Sequence, residues 1–161
     1  MFVRGMWLRR NAARFRLVAG LLMAVLISGC ALARTGQGLR SHAPGDVIGK
    51  VWQWESWTSP VESIEVTAPE RYTLQLMPDG TVRARFDCNR GGGRYSMGDG
   101  ALAFGPLRST RMACPPDSLG GRYSTELARV TSFFVEEGKL YLELPVDSGT
   151  LRFGVAEATG R

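Results

Sequence analysis

Residues 71–86, RYTLQLMPDGTVRARF, decide the fold, because apolar and polar side chains alternate on both sides of a turn signal. The apolar positions that share one face are Tyr72, Leu74, Leu76, Val82, Ala84 and Phe86. Arg83 and Arg85 take the opposite face of the second half, as period-two alternation requires. Asp79-Gly80 separates the halves, and glycine supplies the positive φ that a tight hairpin turn needs. The stretch predicts an antiparallel hairpin with one buried face.

The same combination of alternating residues and a glycine turn recurs towards the C-terminus. GRYSM joins ALAF through residues 98–100, TSFFVE joins KLYLEL through residues 137–138, and KLYLEL joins TLRFGV through residues 147–149. Each junction contains glycine beside a polar residue, which is typical of hairpin turns. The pattern predicts an antiparallel meander.

The first strand of this meander, VWQWESW, contains Trp52, Trp54 and Trp57. Large aromatic side chains bury much apolar surface, so we expect these tryptophans to pack in the core and at the end of a barrel. The alternative interpretation is a platform on which a sugar or a lipid stacks.

One segment, DSLGGRYSTELARV at residues 117–130, breaks the period-two alternation. Its apolar residues are Leu119, Tyr123, Leu127 and Val130. This spacing forms one stripe of a helix, with Asp117 or Ser118 available as the N-cap. Together the segments predict a mainly β fold: a curved antiparallel sheet, or a small lipocalin-like barrel, of about seven or eight strands with one covering helix.

The excess of positive over negative charge lies in the N-terminal leader of the chain. The formal net charge is +5, and the leader contains five arginines and no acidic residue before Cys30. From Cys30 onward the chain carries 15 basic and 15 acidic residues. The basic pI therefore does not indicate a nucleic-acid-binding domain, and we expect no nucleic-acid partner.

The leader, residues 1–29, combines basic residues with an apolar run and a small-residue ending. The run from Leu17 to Ile27 has 11 residues, which suits a secretory signal and is short of the roughly 20 residues of a spanning helix. The ending ISGC resembles a bacterial lipobox, in which the cysteine becomes the acylated N-terminus. By that resemblance Cys30 is lipidated and the protein is tethered to a membrane, the alternatives being an uncleaved anchor or soluble secretion. Since Ala31 rather than aspartate follows Cys30, we expect the outer membrane, facing the periplasm.

Three further regions follow the leader. Residues 30–46 mix glycine, serine, proline and charge without an apolar period, which predicts a flexible tether. The folded domain is expected at residues 47–156, with a tail at residues 157–161. His42, the only histidine of the chain, falls in the tether. A histidine-based triad, zinc site or acid–base catalyst therefore lacks its central residue in the domain, and we expect no enzyme, metal or cofactor.

The stretch DCNRGGGRY at residues 87–95 raises the question of what its glycines and cysteine do. It matches neither of the glycine-rich phosphate-binding patterns, and a hairpin rather than a helix is predicted to follow. The glycines more simply allow the chain to pass close to a neighbouring strand without a Cβ. A nucleotide site is not expected.

Cys88 lies in this stretch and Cys114 in TRMACPP. With Cys30 assigned to lipid, two cysteines remain in a domain that the signal sends to an oxidising compartment, where such pairs normally bond. A nucleophilic thiol would need a base or an electropositive pocket, and no histidine is present in the domain. We expect a structural disulfide between Cys88 and Cys114, the alternative being a redox-active cysteine.

Several motifs, in this order, resemble the META domain family, the group of HslJ-like heat-shock lipoproteins. The motifs are DCNR at residues 87–90 with Gly93 and Tyr95, TRMACP at residues 110–115, and the closing LYLEL and DSGTLRF. The resemblance covers about residues 47–154. It implies a small barrel-like β fold, an envelope location in many members, a link to stress or antibiotic tolerance in some, and no defined catalytic activity.

A candidate binding surface follows from the expected disulfide. The bridge would bring together Asn89, Arg90, Thr110, Arg111 and Met112. An amide, a hydroxyl and arginine's planar donor fork suit a polar or anionic partner group. The alternative interpretation is that these groups satisfy the backbone of their own turns.

The leading functional hypothesis is a non-enzymatic, lipid-anchored envelope protein that binds or stabilises envelope components under stress. The partner is a membrane, through the anchor, and an envelope protein or ligand. A small-ligand carrier would instead need a mostly apolar cavity lined by the tryptophans. An inhibitor of a periplasmic hydrolase would need an exposed, rigid loop, such as residues 89–94.

Overall fold

The computed structural model of the chain describes residues 39–157. The predicted signal peptide, Cys30, residues 31–38 of the predicted tether and residues 158–161 of the predicted tail lie outside this range. Within it, no helix is long and apolar enough to cross a membrane.

Short strands make up most of the described chain, with one α-helix between them. The strands are β1 (Val51–Thr58), β2 (Ser63–Glu65), β3 (Tyr72–Leu76), β4 (Thr81–Phe86), β5 (Asn89–Gly98), β6 (Ala101–Phe104), β7 (Arg108–Ser109), β8 (Ser132–Glu136), β9 (Lys139–Glu143) and β10 (Thr150–Val155). The helix is α1 (Gly120–Leu127), and three short 3₁₀ turns cover Pro44–Asp46, Pro69–Arg71 and Pro145–Asp147.

Eight of the described strands close into an antiparallel barrel. The order around the barrel is β1-β3-β4-β5-β6-β8-β9-β10, and β10 returns to β1. The closing register runs from Trp52 opposite Val155 to Thr58 opposite Thr150. The two remaining strands extend the edges, β2 against β1 and β7 against β5. The predicted fold class, a small β-barrel with one helix, is confirmed.

The four predicted hairpins are all present, and the first shows how its turn works. In the β3–β4 turn, Gly80 has a φ of 79°, which a residue with a side chain rarely adopts. The Asp79 carboxylate accepts hydrogen bonds from the Thr81 amide at 2.9 Å and from its hydroxyl at 2.6 Å. The turn therefore sets the register in which Leu74 and Ala84 face the core together.

The three tryptophans of β1 are part of the core. Trp52 and Trp54 are 0% exposed and Trp57 is 4% exposed. The indole nitrogens of Trp52 and Trp54 donate to the backbone carbonyls of Val47 and Ser56 at 3.0 and 2.9 Å. The interior around these residues is filled by side chains, so the expectation that they pack in the core holds.

Helix α1 covers one end of the barrel through the predicted apolar stripe. Tyr123 and Leu127 are fully buried, and the Tyr123 ring stacks on Trp54 with 4.9 Å between ring centroids. The N-cap prediction is wrong: Leu119 occupies that position, without a side-chain cap. Ser118 instead accepts a hydrogen bond from the Gly120 amide.

Charged side chains in and just after the same helix form a local network, and one of them contacts the barrel wall. Glu126, whose side chain is only 6% exposed, accepts from Arg122 at 3.0 Å and from Arg129 at 2.8 Å. The Arg122 guanidinium also lies 4.2 Å from the centre of the Trp57 ring, within the range of a cation–π contact. The buried carboxylate is therefore paired on both sides.

The described part of the predicted tether contacts the barrel. Ser41 and Val135 exchange two backbone hydrogen bonds, at 2.8 and 2.7 Å. Arg40 pairs with Glu136 at 3.3 Å, and the His42 ring lies beside Phe133. Residues 40–42 of the predicted tether therefore lie against the barrel.

Candidate functional site

The glycine triplet lies in the middle of β5, between two close neighbours. A Cβ at Gly91 would collide with the backbone carbonyl of Arg108, and a Cβ at Gly92 would collide with that of Val82. Strand β5 therefore has β4 on one side and β7 on the other at distances that only glycine permits. The triplet is a packing device, as the sequence suggested.

The structure contains the expected disulfide between Cys88 and Cys114, with 5.6 Å between the two Cα atoms. Cys88 ends the β4–β5 connection, and Cys114 lies in the long segment between β7 and α1. The bond therefore ties the start of β5 to a segment that has no strand of its own. Because both sulfurs are bonded, neither is available as a nucleophile in this state.

Asn89 is the hub of the loop beside the disulfide. Its side-chain oxygen accepts hydrogen bonds from the Met112 amide at 2.7 Å and from the Thr110 hydroxyl at 2.9 Å. Its side-chain nitrogen donates to the Met112 carbonyl at 3.2 Å. Both ends of the amide are thus used to hold residues 110–112, which is the local bonding expected of asparagine in turns.

Thr110 has a similar positioning role. Its hydroxyl accepts a hydrogen bond from the Arg90 amide at 3.1 Å, and its own amide donates to the Arg90 carbonyl at 3.0 Å. Hydrogen bonds from both the side chain and the backbone of Thr110 therefore attach the loop to the first residues of β5. The structure brings all five residues of the candidate surface to one place, but it uses Asn89 and Thr110 internally.

Arg90, Arg111 and Met112 remain exposed at the candidate surface. Met112 is 58% exposed although its backbone is held at both its amide and its carbonyl. An exposed thioether on a fixed backbone is a suitable contact for an apolar partner surface. What the group presents to solvent is therefore two guanidinium groups and one methionine.

An ion pair between Arg71 and Asp87, which the sequence did not reveal, lies next to the disulfide loop. Arg71 donates to both carboxylate oxygens of Asp87, at 2.6 and 2.7 Å, and reaches Asp117 at 3.4 Å. These hydrogen bonds hold the pKa of the Asp87 carboxyl below its usual value. Asp87 is buried and has a φ of 64°. The pair joins residues that are 16 positions apart, and no sequence signal singles it out.

A cleft of about 430 Å³ lies between the disulfide loop and the start of α1. Its lining includes Asn89, Met112 and Cys114 on one side and Gly120 and Ser124 on the other. No described residue within it carries a net charge. The cleft is open and mostly polar in its lining, so it differs from an enclosed ligand cavity.

A second cleft, of about 400 Å³, lies on the outside of β3, β4 and β5. Three arginines line it, Arg83, Arg85 and Arg90, together with the exposed carboxylate of Glu70. Arg85 lies directly opposite Arg90 in the strand register. Neither cleft is lined by Trp52, Trp54 or Trp57.

Within residues 39–157, no three histidine, cysteine or acidic side chains are grouped so that they could hold a metal ion. At the candidate surface and in the two clefts, the described residues offer hydrogen-bonding groups, guanidinium charges, the Glu70 carboxylate and the Met112 thioether.

Comparison with known proteins identifies the family. A family model for the META domain matches residues 45–158 of the chain. The chain belongs to the META domain family. The match includes the disulfide, the Asn89 hub and the whole barrel, so these features are part of a META domain. No curated protein matches the chain at a significant level.

Solved structures share the META domain's architecture. A protein from Burkholderia xenovorans, solved by NMR, is 27% identical, with a TM-score of 0.59 over 70% of this chain and 85% of that one. A second NMR structure is 19% identical, with a TM-score of 0.56 over 73% of this chain and 98% of that one. A DUF4847 family protein from Bacteroides vulgatus is 10% identical, with a TM-score of 0.52 over 68% of this chain and 94% of that one. The last two matches concern the fold alone.

Proposed function

We propose that this META domain protein is a lipid-anchored, non-enzymatic protein of the cell envelope, of the HslJ-like type. It would be attached through Cys30 to the outer membrane, facing the periplasm, and would bind or stabilise envelope components under stress. The observation that carries the proposal is the ISGC ending after an apolar run of 11 residues, joined to a META domain. The proposed order along the chain is signal peptide, anchor, tether and domain.

Two further observations support the proposal, the first concerning export and the second concerning a binding role. The domain contains a disulfide, which is common in exported proteins. At the candidate surface, the side-chain amide of Asn89 and the hydroxyl of Thr110 form hydrogen bonds with neighbouring residues of the same loop. These groups position the loop and leave the chemistry at the surface to arginine and methionine.

The test of the anchor is the Cys30→Ser variant, expressed in a Gram-negative host with Ala31→Ser as the matched control. The native chain and the control should be recovered with membranes and carry an acyl mass on Cys30. The Cys30→Ser protein should be released, or should remain uncleaved. A processed Cys30→Ser protein that is still recovered fully with membranes would refute the anchor.

A second candidate, an inhibitor of a periplasmic hydrolase, is favoured by one observation. Met112 is exposed on a loop whose backbone is fixed by Asn89 and flanked by the disulfide, and a rigid exposed loop can enter a partner's cleft with little loss of conformational entropy. The rigid loop is residues 110–114 rather than residues 89–94, which lie in β5. Met112→Asp should abolish capture of the hydrolase, whereas Val61→Asp, at another exposed apolar residue, should not.

The small-ligand carrier is not favoured by the structure. That hypothesis required an apolar cavity lined by the tryptophans of β1, and those side chains are packed in the core with at most 4% exposure. The barrel interior is filled by aromatic and aliphatic side chains instead.

A further inference from the structure

Five arginines share the outer face of β4, β5 and β7, which we name the arginine face. They are Arg83, Arg85, Arg90, Arg94 and Arg108. The strand register brings them together, since Arg85 lies opposite Arg90, Thr81 opposite Arg94, and Gly92 between Arg83 and Arg108. Arg83, Arg90, Arg94 and Arg108 are exposed, and Arg85 is half-buried.

No carboxylate of the described residues lies within ion-pairing distance of the arginine face. None of its five arginines forms an ion pair with a carboxylate of the described residues, although Arg85 donates to the backbone carbonyls of Asp87 and Glu70. Cα atoms of directly opposite residues in an antiparallel pair are about 4.5–5.5 Å apart, so Arg85 and Arg90 are close like charges. Like charges opposite each other destabilise a sheet, so the pairing of Arg85 with Arg90 does not itself stabilise the barrel.

Few carboxylates lie near the arginine face, and two of them, Asp79 and Asp87, accept hydrogen bonds from residues outside the five arginines. Between residues 81 and 111 the chain has six arginines and two aspartates. Asp87 is bonded to Arg71 below the loop. Asp79, at the adjoining turn, accepts from Thr81, and Glu70 stands at the rim of the second cleft. A domain that is close to neutral as a whole therefore carries a local excess of positive charge on one side.

We propose that the arginine face binds the phosphate groups of an anionic membrane surface. Guanidinium groups bind phosphate oxygens through paired, charge-assisted hydrogen bonds. Each basic residue near an anionic leaflet adds to the attraction. The face is broad and open rather than enclosed, and Val51, 38% exposed, gives the second cleft an apolar edge. The three tryptophans of the domain are buried, which leaves no indole ring on this face for stacking nucleic-acid bases.

The proposed tether would keep the arginine face close to a membrane. Ser41, which pairs with Val135 of the barrel, lies 11 residues after Cys30, and 11 residues reach at most about 40 Å when fully extended. The inference deepens the proposed function and rests on its placement of the domain at a membrane. A lipidated Cys30 would hold the barrel within that distance of lipid headgroups, and the arginine face would orient it there.

The test uses the chain starting at Ala31, without the acyl anchor. This chain contains every strand of the closed barrel and every residue of its core. Co-sedimentation is measured with vesicles of equal parts phosphatidylglycerol and phosphatidylcholine, and with vesicles of phosphatidylcholine alone. The variant Arg83→Gln/Arg90→Gln removes two charges from the face, and Arg40→Gln/Lys50→Gln removes two exposed charges elsewhere as the matched control.

The parent chain and the control should bind the anionic vesicles, and binding should weaken as salt shortens the Debye length to about 8 Å near physiological ionic strength. The Arg83→Gln/Arg90→Gln protein should bind at least about tenfold more weakly. Phosphatidylcholine vesicles should not be bound. The inference is overturned if the anionic vesicles are not bound at low salt, if phosphatidylcholine vesicles are bound equally well, or if both variants weaken binding equally. Membrane recovery through Cys30 is judged separately, so either proposal can fail alone.

Discussion

Two outer faces of the same barrel differ in whether their charged side chains form ion pairs. On the side of β1, β9 and β10, Lys139 and Arg152 reach Glu55 at 2.5 and 3.3 Å, and we name these three residues the paired face. On the arginine face, no carboxylate of the described residues pairs with any of the five arginines. Both faces occupy the same alternating outward positions of the strands. The contrast shows that this barrel does not need the charges of the arginine face to hold its strands together.

The disulfide gives the largest expected effect, because it holds the chain that follows β7 of the arginine face. Cys88→Ser/Cys114→Ser opens a loop of 26 residues, which the chain-entropy model values at about 3–4 kcal/mol. We expect the free energy of unfolding to fall by that amount in urea denaturation. The backbone chemical shifts of β9 and β10, which are far from the bridge, should stay unchanged, while their amide protection falls with the global free energy of unfolding.

Reduction of the native chain is the control for that substitution, since it breaks the same bond without changing the sequence. Its urea midpoint should shift as far as that of the double variant. An unchanged midpoint in both would show that the bridge does not stabilise the fold.

Asp87 is expected to be next in magnitude. Asp87→Asn keeps the size of the side chain, and asparagine tolerates a positive φ. The substitution removes the carboxylate that Arg71 contacts most closely and leaves the guanidinium only its longer contact with Asp117. The free energy of unfolding should fall by about 2–3 kcal/mol. Asp79→Asn, which changes an exposed carboxylate, is the matched control and should change the free energy of unfolding much less.

The same residue predicts a pH dependence. Hydrogen bonds from Arg71 hold the folded-state pKa of Asp87 below its usual value. The stability that the pair contributes is therefore present above the unfolded-state pKa of about 3.9. It is lost as pH falls through the lowered folded-state pKa. The difference between the native chain and Asp87→Asn should shrink in acid, and a difference that is constant down to that range would contradict this assignment.

Substitutions at Asn89 and Arg90 compare a residue whose side chain holds the loop with a residue whose side chain faces solvent. Asn89→Ala removes three hydrogen bonds to residues 110–112, so thermal and urea unfolding should show a loss of about 1–3 kcal/mol. Arg90→Ala removes an exposed side chain and should change stability by less than about 0.5 kcal/mol. Equal losses in both variants would place Arg90 in the fold rather than at a surface for binding.

The smallest effects compare the two faces directly. Glu55→Gln removes the partner of Lys139 and Arg152 and should cost less than about 1 kcal/mol, since these ions are partly exposed. Arg83→Gln should be neutral or slightly stabilising, because it reduces repulsion among the arginines. Measurements at low and high salt should show the two effects converging. A clear loss of stability in Arg83→Gln would remove the contrast between the faces.

Much of the barrel is predictable because its information is local. Each hairpin joins neighbouring residues, and its signal is a glycine turn between alternating segments, as at Gly80 and Gly138. The closing pair β1–β10 joins Trp52 to Val155 across the whole domain, and no local pattern encodes it. The short strands β2 and β7, of three and two residues, are below the length at which alternation can be recognised. Ser41 pairs with Val135 through backbone atoms alone. The sequence around Ser41, which is rich in glycine and proline, contains no side-chain pattern that predicts this pairing.

The candidate site is predictable in its position and less so in its chemistry. The expected bridge correctly brought Asn89 beside Thr110 and Met112, but the sequence left open whether their polar groups face a partner or the loop. That choice depends on backbone positions, which place the Met112 amide within 2.7 Å of the Asn89 oxygen. The arginine face needed the register as well, because Arg94 and Arg108 adjoin Arg83 only after β5 and β7 have paired.

The central claim, that the arginine face is a surface for an anionic membrane, is tested most directly by NMR. Backbone amide spectra of the Ala31 chain are recorded while nanodiscs of phosphatidylglycerol and phosphatidylcholine are added at low salt. The account predicts selective broadening and shifts in β4, β5 and β7, centred on residues 83, 90 and 108, with β9 and β10 unaffected. Perturbations centred on the paired face, or none with anionic nanodiscs in excess, would contradict it.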